Sequence, residues 1–190
     1  GITVKIYTEG AAEPMVKEFT SPLTTRPNKL VTVKAFTHSV PVASVTEANQ
    51  AFSEGASGVT ITNTTSTPST LEIPNAFEPG ASASVAFEEP VSTDLTIEET
   101  AAASKELPQM LSVDMETTAA LVINTPSLTV ALEGSYTNIE ATTADNTLIV
   151  AKNTTIETLT VKKGNVKIYG TVGELINEGS VSYTHLTLPT

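Results

Sequence analysis

The feature that most limits how this chain can fold is a repeat of about 20 residues between Ser127 and Asn177. Three successive lines each contain two short runs in which apolar and polar residues alternate. They are SLTVALEGSYTNIEA (127–141), TLIVAKNTTIETLTV (147–161) and NVKIYGTVGELIN (165–177). Such alternation is typical of β-strands, because successive side chains point to opposite faces. Its recurrence at this period predicts the stacked turns of a β-solenoid.

The alignment of the three lines predicts which side chains stack inside. Three columns result: Leu128, Leu148 and Val166; Val130, Val150 and Ile168; and Ile139, Leu159 and Leu175. The polar breaks between the runs are rich in Asn and Gly, which tolerate the left-handed backbone of tight corners. We therefore predict an all-β fold, a single-stranded parallel β-helix, in which these asparagines are structural.

Residues 1–36 have a different pattern. The runs ITVKIY, VKEF and KLVTVKAF alternate and predict antiparallel strands with one solvated face, with Pro22, Pro27 and Asn28 in a turn. Three strands are too few to close a sandwich. The segment is therefore predicted to be the C-terminal strands of an upstream immunoglobulin-like β-sandwich.

A linker at 37–43 and a capping helix at about 45–54 are predicted next. Ser44 and Glu47 fit a capping box, and Val45, Ala48 and Phe52 share one helical face. The helix would cover the open end of the solenoid, and the β-helix domain as a whole is predicted over 44–180.

The stretch between the helix and the repeat predicts further strands with weaker periodicity. Residues 100–110 are predicted as a loop or a helical turn, and 111–124 as an earlier turn of the solenoid. Val113, 17 residues before Val130, belongs to that earlier turn, and strands resume at 111–113 and 120–124. The residues predicted to face inward before it are Val59, Ile61, Leu71, Ile73, Val85, Phe87, Leu95 and Ile97.

Composition excludes several classes of site. The chain has 190 residues, no cysteine and a net charge of −11. The absence of cysteine excludes a disulfide framework, a thiolate zinc site and a cysteine nucleophile. The negative charge argues against nucleic acid and anionic membrane surfaces as partners. No apolar run approaches the roughly 20 residues of a membrane-spanning helix.

Candidate catalytic residues are few. His38, beside Ser39, is the only histidine before residue 181, so neither a triad nor a histidine-based zinc site is indicated. An acid–base pair is conceivable at Glu140 and Glu157, which are predicted as near-neighbours on successive turns. The related carboxylates are Asp114, Glu116 and Glu133, and the nearby bases are Lys152, Lys162, Lys163 and Lys167.

These carboxylates nevertheless occupy ordinary outward positions of alternating strands. The only arginine, Arg26, lies outside the predicted solenoid, although sites for acidic sugars commonly use a basic residue. We therefore predict a protein that is not an enzyme, and assign no catalytic, cofactor-binding or metal-binding residue.

An acidic stretch at 88–116 allows two interpretations, a calcium site or a solvated acidic face, and we favour the solvated face. The sequons at Asn63 and Asn153 are chance matches in a threonine-rich chain. The stretch holds a single base, Lys105, among eight acidic residues: Glu88, Glu89, Asp94, Glu98, Glu99, Glu106, Asp114 and Glu116.

The strands of 1–36, the helix at 44–55 and the phrase TTADNTLIVAKNTTIETLTVKKGNVKIYGTVGELINEG (142–179) together resemble cell-surface lipoproteins of gut anaerobes. In these a fimbrillin-like β-sandwich precedes a pectate-lyase-like β-helix. The resemblance implies export to the outer cell surface and a structural or adhesive role, with a surface glycan or a host protein as partner. It supplies no functional residue, and the lipid-anchoring cysteine of such proteins is absent here.

Two other functions stay open. One is a carbohydrate-active β-helix, a polysaccharide lyase or glycosidase whose site lies in turns outside this sequence. The other is a passive spacer that holds another domain away from the surface.

The last ten residues, VSYTHLTLPT (181–190), resemble a translated transposase mosaic-end adapter from sequencing-library preparation. The resemblance predicts a non-native tail after Ser180. Together with Gly1 in place of an initiator methionine, it predicts an internal fragment of a longer protein. The alternative for the tail is a natural last strand over Tyr183–Leu188.

Overall fold

The computed structural model describes residues 2–6, 15–19, 39–63, 66–74, 82–100, 109–179 and 181–185. The chain divides into two compact units, Gly1–Phe36 and Thr37–Thr190. Apart from one short helix, the elements of the described residues are β-strands, and all strand pairs of the second unit are parallel. The prediction of an all-β chain is therefore confirmed.

The described residues of the first unit, 2–6 and 15–19, form an antiparallel pair of strands. Strand β1 (Ile2–Ile6) lies beside β2 (Met15–Phe19), with Ile2 opposite Phe19. This confirms antiparallel pairing for the first two predicted runs. Several residues discussed from the sequence lie outside the described residues. They are the third run, KLVTVKAF, the turn residues Pro22, Pro27 and Asn28, and the side chains of Arg26 and His38.

The second unit is a largely parallel sheet. Its elements are β3 (Val40–Val42), α1 (Val45–Ser53), β4 (Gly58–Ile61), β5 (Ser69–Ile73), β6 (Ser82–Phe87), β7 (Leu95–Glu99), β8 (Gln109–Asn124), β9 (Leu128–Val150), β10 (Thr155–Ile168), β11 (Thr171–Asn177) and β12 (Val181–His185). Strand β8 is shared by two stacks, because its first part pairs with β6 and its second part with β7. Strand β10 likewise pairs with β11 and then with β12.

The core of this unit is almost wholly aliphatic. Alternate residues of each strand point inward, as at Leu111 and Val113 in β8, which have no exposed surface. Of the residues of this unit predicted to face inward, Phe87 is partly exposed and Leu175 is 36% exposed, whereas the others are buried. Period-two alternation therefore identified the buried face of the strands from β4 to β10, whereas the side chain of Leu175 in β11 is exposed.

The register of the long strands confirms one predicted column and corrects another. Leu159 lies beside both Ile139 and Leu175, as predicted. Ile168 lies beside Val150, and the amide of Tyr169 donates to the carbonyl of Val150.

A backbone hydrogen bond of the same kind also fixes the register between Val150 and the first part of β9. The amide of Ala151 donates to the carbonyl of Leu132 at 3.0 Å, which places Val150 beside Leu132. The predicted stacking of Val150 on Val130 is therefore wrong by two residues. A shift of two keeps every side chain on the same face, so alternation alone does not distinguish the two registers. Leu128, Val130 and Leu132 all alternate in that line and offer more than one alignment.

Part of the predicted linker is a strand. Val40–Val42 forms β3, parallel to β4, with Val40 beside Val59. The side chain of Val42 is buried, and its burial favours the extended pairing. Pro41 has no N–H to donate, which an edge strand such as β3 tolerates.

The predicted helix is present as α1. The Ser44 hydroxyl accepts a hydrogen bond from the Glu47 amide at 3.2 Å, and the Glu47 carboxylate accepts one from the Ala43 amide at 2.8 Å. Val45, Ala48 and Phe52 are buried, as the helical spacing predicts. The helix packs on β3, β4 and β5.

The predicted tail contains a strand. Residues Val181–His185 form β12, parallel to β10, with Tyr183 beside Val166 in the register. This geometry is that of the alternative, a last strand, although its bounds differ from Tyr183–Leu188. The adapter resemblance concerns the origin of the segment and stays a prediction.

Three buried threonines differ in their hydrogen bonding. Thr125 and Thr143 have no exposed surface, and their hydroxyls have no partner among the described residues. Thr154 is also buried, but its hydroxyl donates to the carbonyl of Leu132 at 2.7 Å. An unpaired buried hydroxyl lowers stability, whereas a paired one does not.

Replacing Thr143 by valine should therefore raise the free energy of unfolding by about 1 kcal/mol, because the unpaired hydroxyl is removed and the shape is nearly kept. Thr154→Val is the matched control and should lower it by about 1 kcal/mol, since the Leu132 carbonyl loses its hydroxyl donor. Urea unfolding of both variants measures the difference. Equal destabilisation by the two substitutions would contradict the prediction.

Candidate functional surface

A polar groove of about 390 Å³ lies across β8, β9 and β10. In the strand register Glu116 lies beside Ser135, and Ser135 lies beside Thr155. The full lining is Pro90, Glu116, Thr117, Thr118, Ser135, Tyr136, Thr137, Thr155 and Glu157. The groove therefore combines two carboxylates with a set of hydroxyl groups.

The groove is negative and rich in hydrogen-bonding groups. Glu116 and Glu157 are both exposed, and neither forms an ion pair within the described part of the chain. The Thr137 hydroxyl donates to the carbonyl of Thr117 at 3.2 Å, which orients it along the groove wall. Carboxylates and hydroxyls in this arrangement can bind the hydroxyl groups of a sugar or a cationic group.

The acid–base pair considered from the sequence is not formed. Glu140 lies beside Thr160, whereas Ile156 and Thr158, on either side of Glu157, lie beside residues 136 and 138. The two glutamates are thus three positions apart along the strands, or about 10 Å. The prediction that they are near-neighbours is wrong, although the predicted alignment of Ile139 with Leu159, which the pairing confirms, already implies this separation.

Glu140 instead forms an ion pair. Its Oε1 lies 2.6 Å from the Nζ of Lys162, and both side chains are less than half exposed. The hydrogen bond from Lys162 to this carboxylate raises the pKa of the lysine. Glu157 lines the groove with Glu116, a combination that the sequence analysis missed. The register of β8, β9 and β10 is the signal that identifies it.

Two other acidic side chains accept hydrogen bonds from backbone amides. Asp94 accepts a hydrogen bond from the Ala120 amide at 3.2 Å, and Glu99 accepts one from the Ser127 amide at 2.8 Å. Asp114 lies beside Glu133 on adjacent strands, and both are exposed. No three acidic or histidine side chains of the described ranges are close enough to hold a metal ion. Glu106 and Lys105 lie outside those ranges.

Tyr136 is a buried polar group beneath the groove. The residue is 2% exposed, and its hydroxyl donates to the carbonyl of Glu133 at 2.7 Å. The Val113 carbonyl also lies within reach of the hydroxyl, at 3.3 Å. Burial, together with the carboxylates of Asp114 and Glu133, raises the pKa of Tyr136 well above that of a free tyrosine.

This shift predicts a loss of stability at alkaline pH. Tyr136 keeps its proton in the folded chain, whereas it loses the proton above about pH 10 in the unfolded chain. The unfolded state then binds fewer protons, so the free energy of unfolding should fall by at most about 1.4 kcal/mol per pH unit above that point. Below about pH 10 the stabilisation is fully present.

The measurement is urea unfolding between pH 8 and 11, with Tyr136→Phe as the comparison. The variant should lose about 1 kcal/mol at pH 8, because the hydroxyl hydrogen bonds are removed. Its free energy of unfolding should also fall less steeply above pH 10, because phenylalanine has no proton to lose. Lysine titration affects both proteins alike and cancels in the comparison. Parallel curves for the two proteins would contradict the prediction.

The fold and this surface define an all-β protein built on a parallel sheet. Comparison of the chain with protein-family models, with curated proteins and with solved structures gives no match. Within the described residues, no helix has both the length and the apolarity needed to cross a membrane.

Proposed function

We propose that the chain is a parallel β-helix over 44–180 and serves as a non-catalytic structural or adhesive module. The observation that carries the proposal is the pairing in β8–β11. Successive segments lie side by side in parallel at offsets from 20 residues, Ile139 to Leu159, down to 16 residues, Leu159 to Leu175. A chain that returns to the same place after each such interval winds as a solenoid.

The stack formed by β5, β7, β8, β9, β10 and β11 supports a scaffolding role. Six strands at about 4.8 Å make a wall about 24 Å long. Its inner side is aliphatic, and its outer side includes the paired positions Glu72 and Glu98. A rigid wall with a polar outer side presents many equivalent contact points to an extended partner.

The proposed location is the outer cell surface, and the proposed partner is a surface glycan or a host protein. The resemblance of 142–179 and the preceding segments to exported surface lipoproteins supports this location. The net charge of −11 favours neutral or basic partners over nucleic acid.

Glycan-array binding by the full chain tests the adhesive role. The double variant Glu116→Gln/Glu157→Gln tests whether the groove is the binding site. The matched control is Glu133→Gln, an exposed glutamate outside the groove. We expect binding to a restricted set of glycans that the double variant loses and the control keeps. Binding retained by the double variant would move the contact to another face. If neither glycans nor host-surface proteins bind, the passive spacer is the better description.

The second candidate is a carbohydrate-active β-helix, and the groove is the observation that favours it. Glu116 and Glu157 line one concave surface, and paired carboxylates are the usual acid and base of glycoside cleavage. Release of reducing ends from acidic polysaccharides tests this activity. Activity that Glu116→Gln or Glu157→Gln abolishes would establish the enzyme, whereas our proposal expects no release.

A further inference from the structure

The edge of β5 is closed by a side chain and not by a strand. The amide nitrogen Nδ2 of Asn49, in α1, donates to the carbonyl of Thr70 at 2.9 Å. The amide oxygen Oδ1 of the same residue accepts a hydrogen bond from the backbone N–H of Glu72 at 2.8 Å. Both partners are backbone groups of β5 on the edge away from β7.

This pattern is that of one residue in a parallel strand. On a parallel edge, a neighbouring residue donates its N–H to one carbonyl and accepts from the N–H two residues further on. Asn49 makes the same two bonds to Thr70 and Glu72 with its side chain. The buried Val45, Ala48 and Phe52 hold the helix at this edge.

Among the described residues, strand β11 forms the opposite end of the same stack. The stack runs through β5, β7, β8, β9, β10 and β11, and the register continues along it. The row that begins with Thr70 in β5 ends with Ile176 in β11. Among the described residues β11 pairs only with β10, and Leu175 and Ile176 are each 36% exposed.

The two ends are therefore complementary to each other. A second copy placed end to end would bring its β11 beside β5 and continue the parallel pairing in register. Such a contact is head-to-tail and does not close on itself, so it would produce open-ended polymers. Helix α1 occupies the place that the incoming strand would take.

We propose that the β5 edge is a latent self-association surface for β11 of a second copy, and that Asn49 keeps it closed. The side-chain amide satisfies the edge groups that would otherwise recruit a strand. The closure is built from α1, so any change that displaces this helix opens the surface. This inference does not depend on the proposed adhesive role.

The test compares Asn49→Ala with Gln50→Ala in the full chain. Gln50 is an amide on the same helix, exposed, whose Nε2 donates to Glu54 at 2.9 Å and not to β5. Hydrogen exchange at the Glu72 amide should be roughly three- to tenfold faster in Asn49→Ala and unchanged in Gln50→Ala. The mass from light scattering should increase with concentration beyond a dimer only in Asn49→Ala.

A third variant, Asn49→Ala/Ile176→Lys, identifies the partner strand. A lysine on the edge of β11 disfavours pairing, so this variant should return to a monomer. Exchange at the Ala48 and Glu54 amides, which bond within the helix, shows whether α1 is still formed. If α1 is lost in Asn49→Ala, association that Ile176→Lys suppresses still supports the proposal.

Four results would overturn it. They are unchanged exchange at Glu72 in Asn49→Ala, a monomer at every concentration in that variant, equal association by Gln50→Ala, and association that survives Ile176→Lys.

Discussion

Replacing Leu159 by aspartate should destabilise the parallel sheet more than any other single change considered. Leu159 has no exposed surface and lies beside Ile139 on one strand and Leu175 on the other. Truncation to alanine removes the packing on both sides and should cost about 2–5 kcal/mol. Aspartate should cost more, because its carboxylate would be buried among aliphatic side chains without a partner.

Urea unfolding measures both variants, with Glu157→Gln as the control two residues away. Glu157 is exposed, so this change should stay within about ±0.5 kcal/mol. Hydrogen exchange shows which strands are destabilised. In Leu159→Ala the amides of β11 should exchange faster before those of β8, since stacked strands couple mainly to their neighbours. A cost below about 1 kcal/mol for Leu159→Ala would contradict the burial described here.

The substitution Gly134→Ala should also lower the free energy of unfolding by a large amount. Gly134, within β9, has φ of +106°, a conformation that residues with a Cβ rarely adopt. A Cβ at this position would lie 2.1 Å from the backbone carbonyl oxygen of Met115. Since Met115 is in the adjacent strand β8, one of the two backbones must move. Backbone strain and overpacking together should cost about 3 kcal/mol or more.

Gly55→Ala separates the two contributions. Gly55 also has a positive φ, +97°, but a Cβ there would meet nothing within 4 Å. Gly55→Ala should therefore lower the free energy of unfolding only by the cost of placing alanine at a positive φ, about 1 kcal/mol. Thermal or urea unfolding of both variants measures the difference. Equal costs at the two positions would show that the close approach of β8 and β9 does not limit the side chain at Gly134.

Local sequence patterns determined much of this fold. Period-two alternation identified the buried faces, because a strand places successive side chains on opposite sides. The aliphatic positions Leu71, Leu95 and Leu121 are buried for that reason. The helix was equally predictable, because Ser44 and Glu47 make capping hydrogen bonds within one turn of the chain. These signals act over a few residues and need no knowledge of the rest of the molecule.

Only the tertiary structure decided the register and the make-up of the surface. Alternation does not distinguish Val130 from Leu132 as the neighbour of Val150, because a shift of two residues leaves the same faces buried. The prediction also grouped Glu157 with Glu140, whereas the stacking of three strands places Glu157 in a groove with Glu116. Pairing depends on backbone hydrogen bonds and packing between residues 16 to 20 positions apart, and these contacts exist only once the strands are stacked.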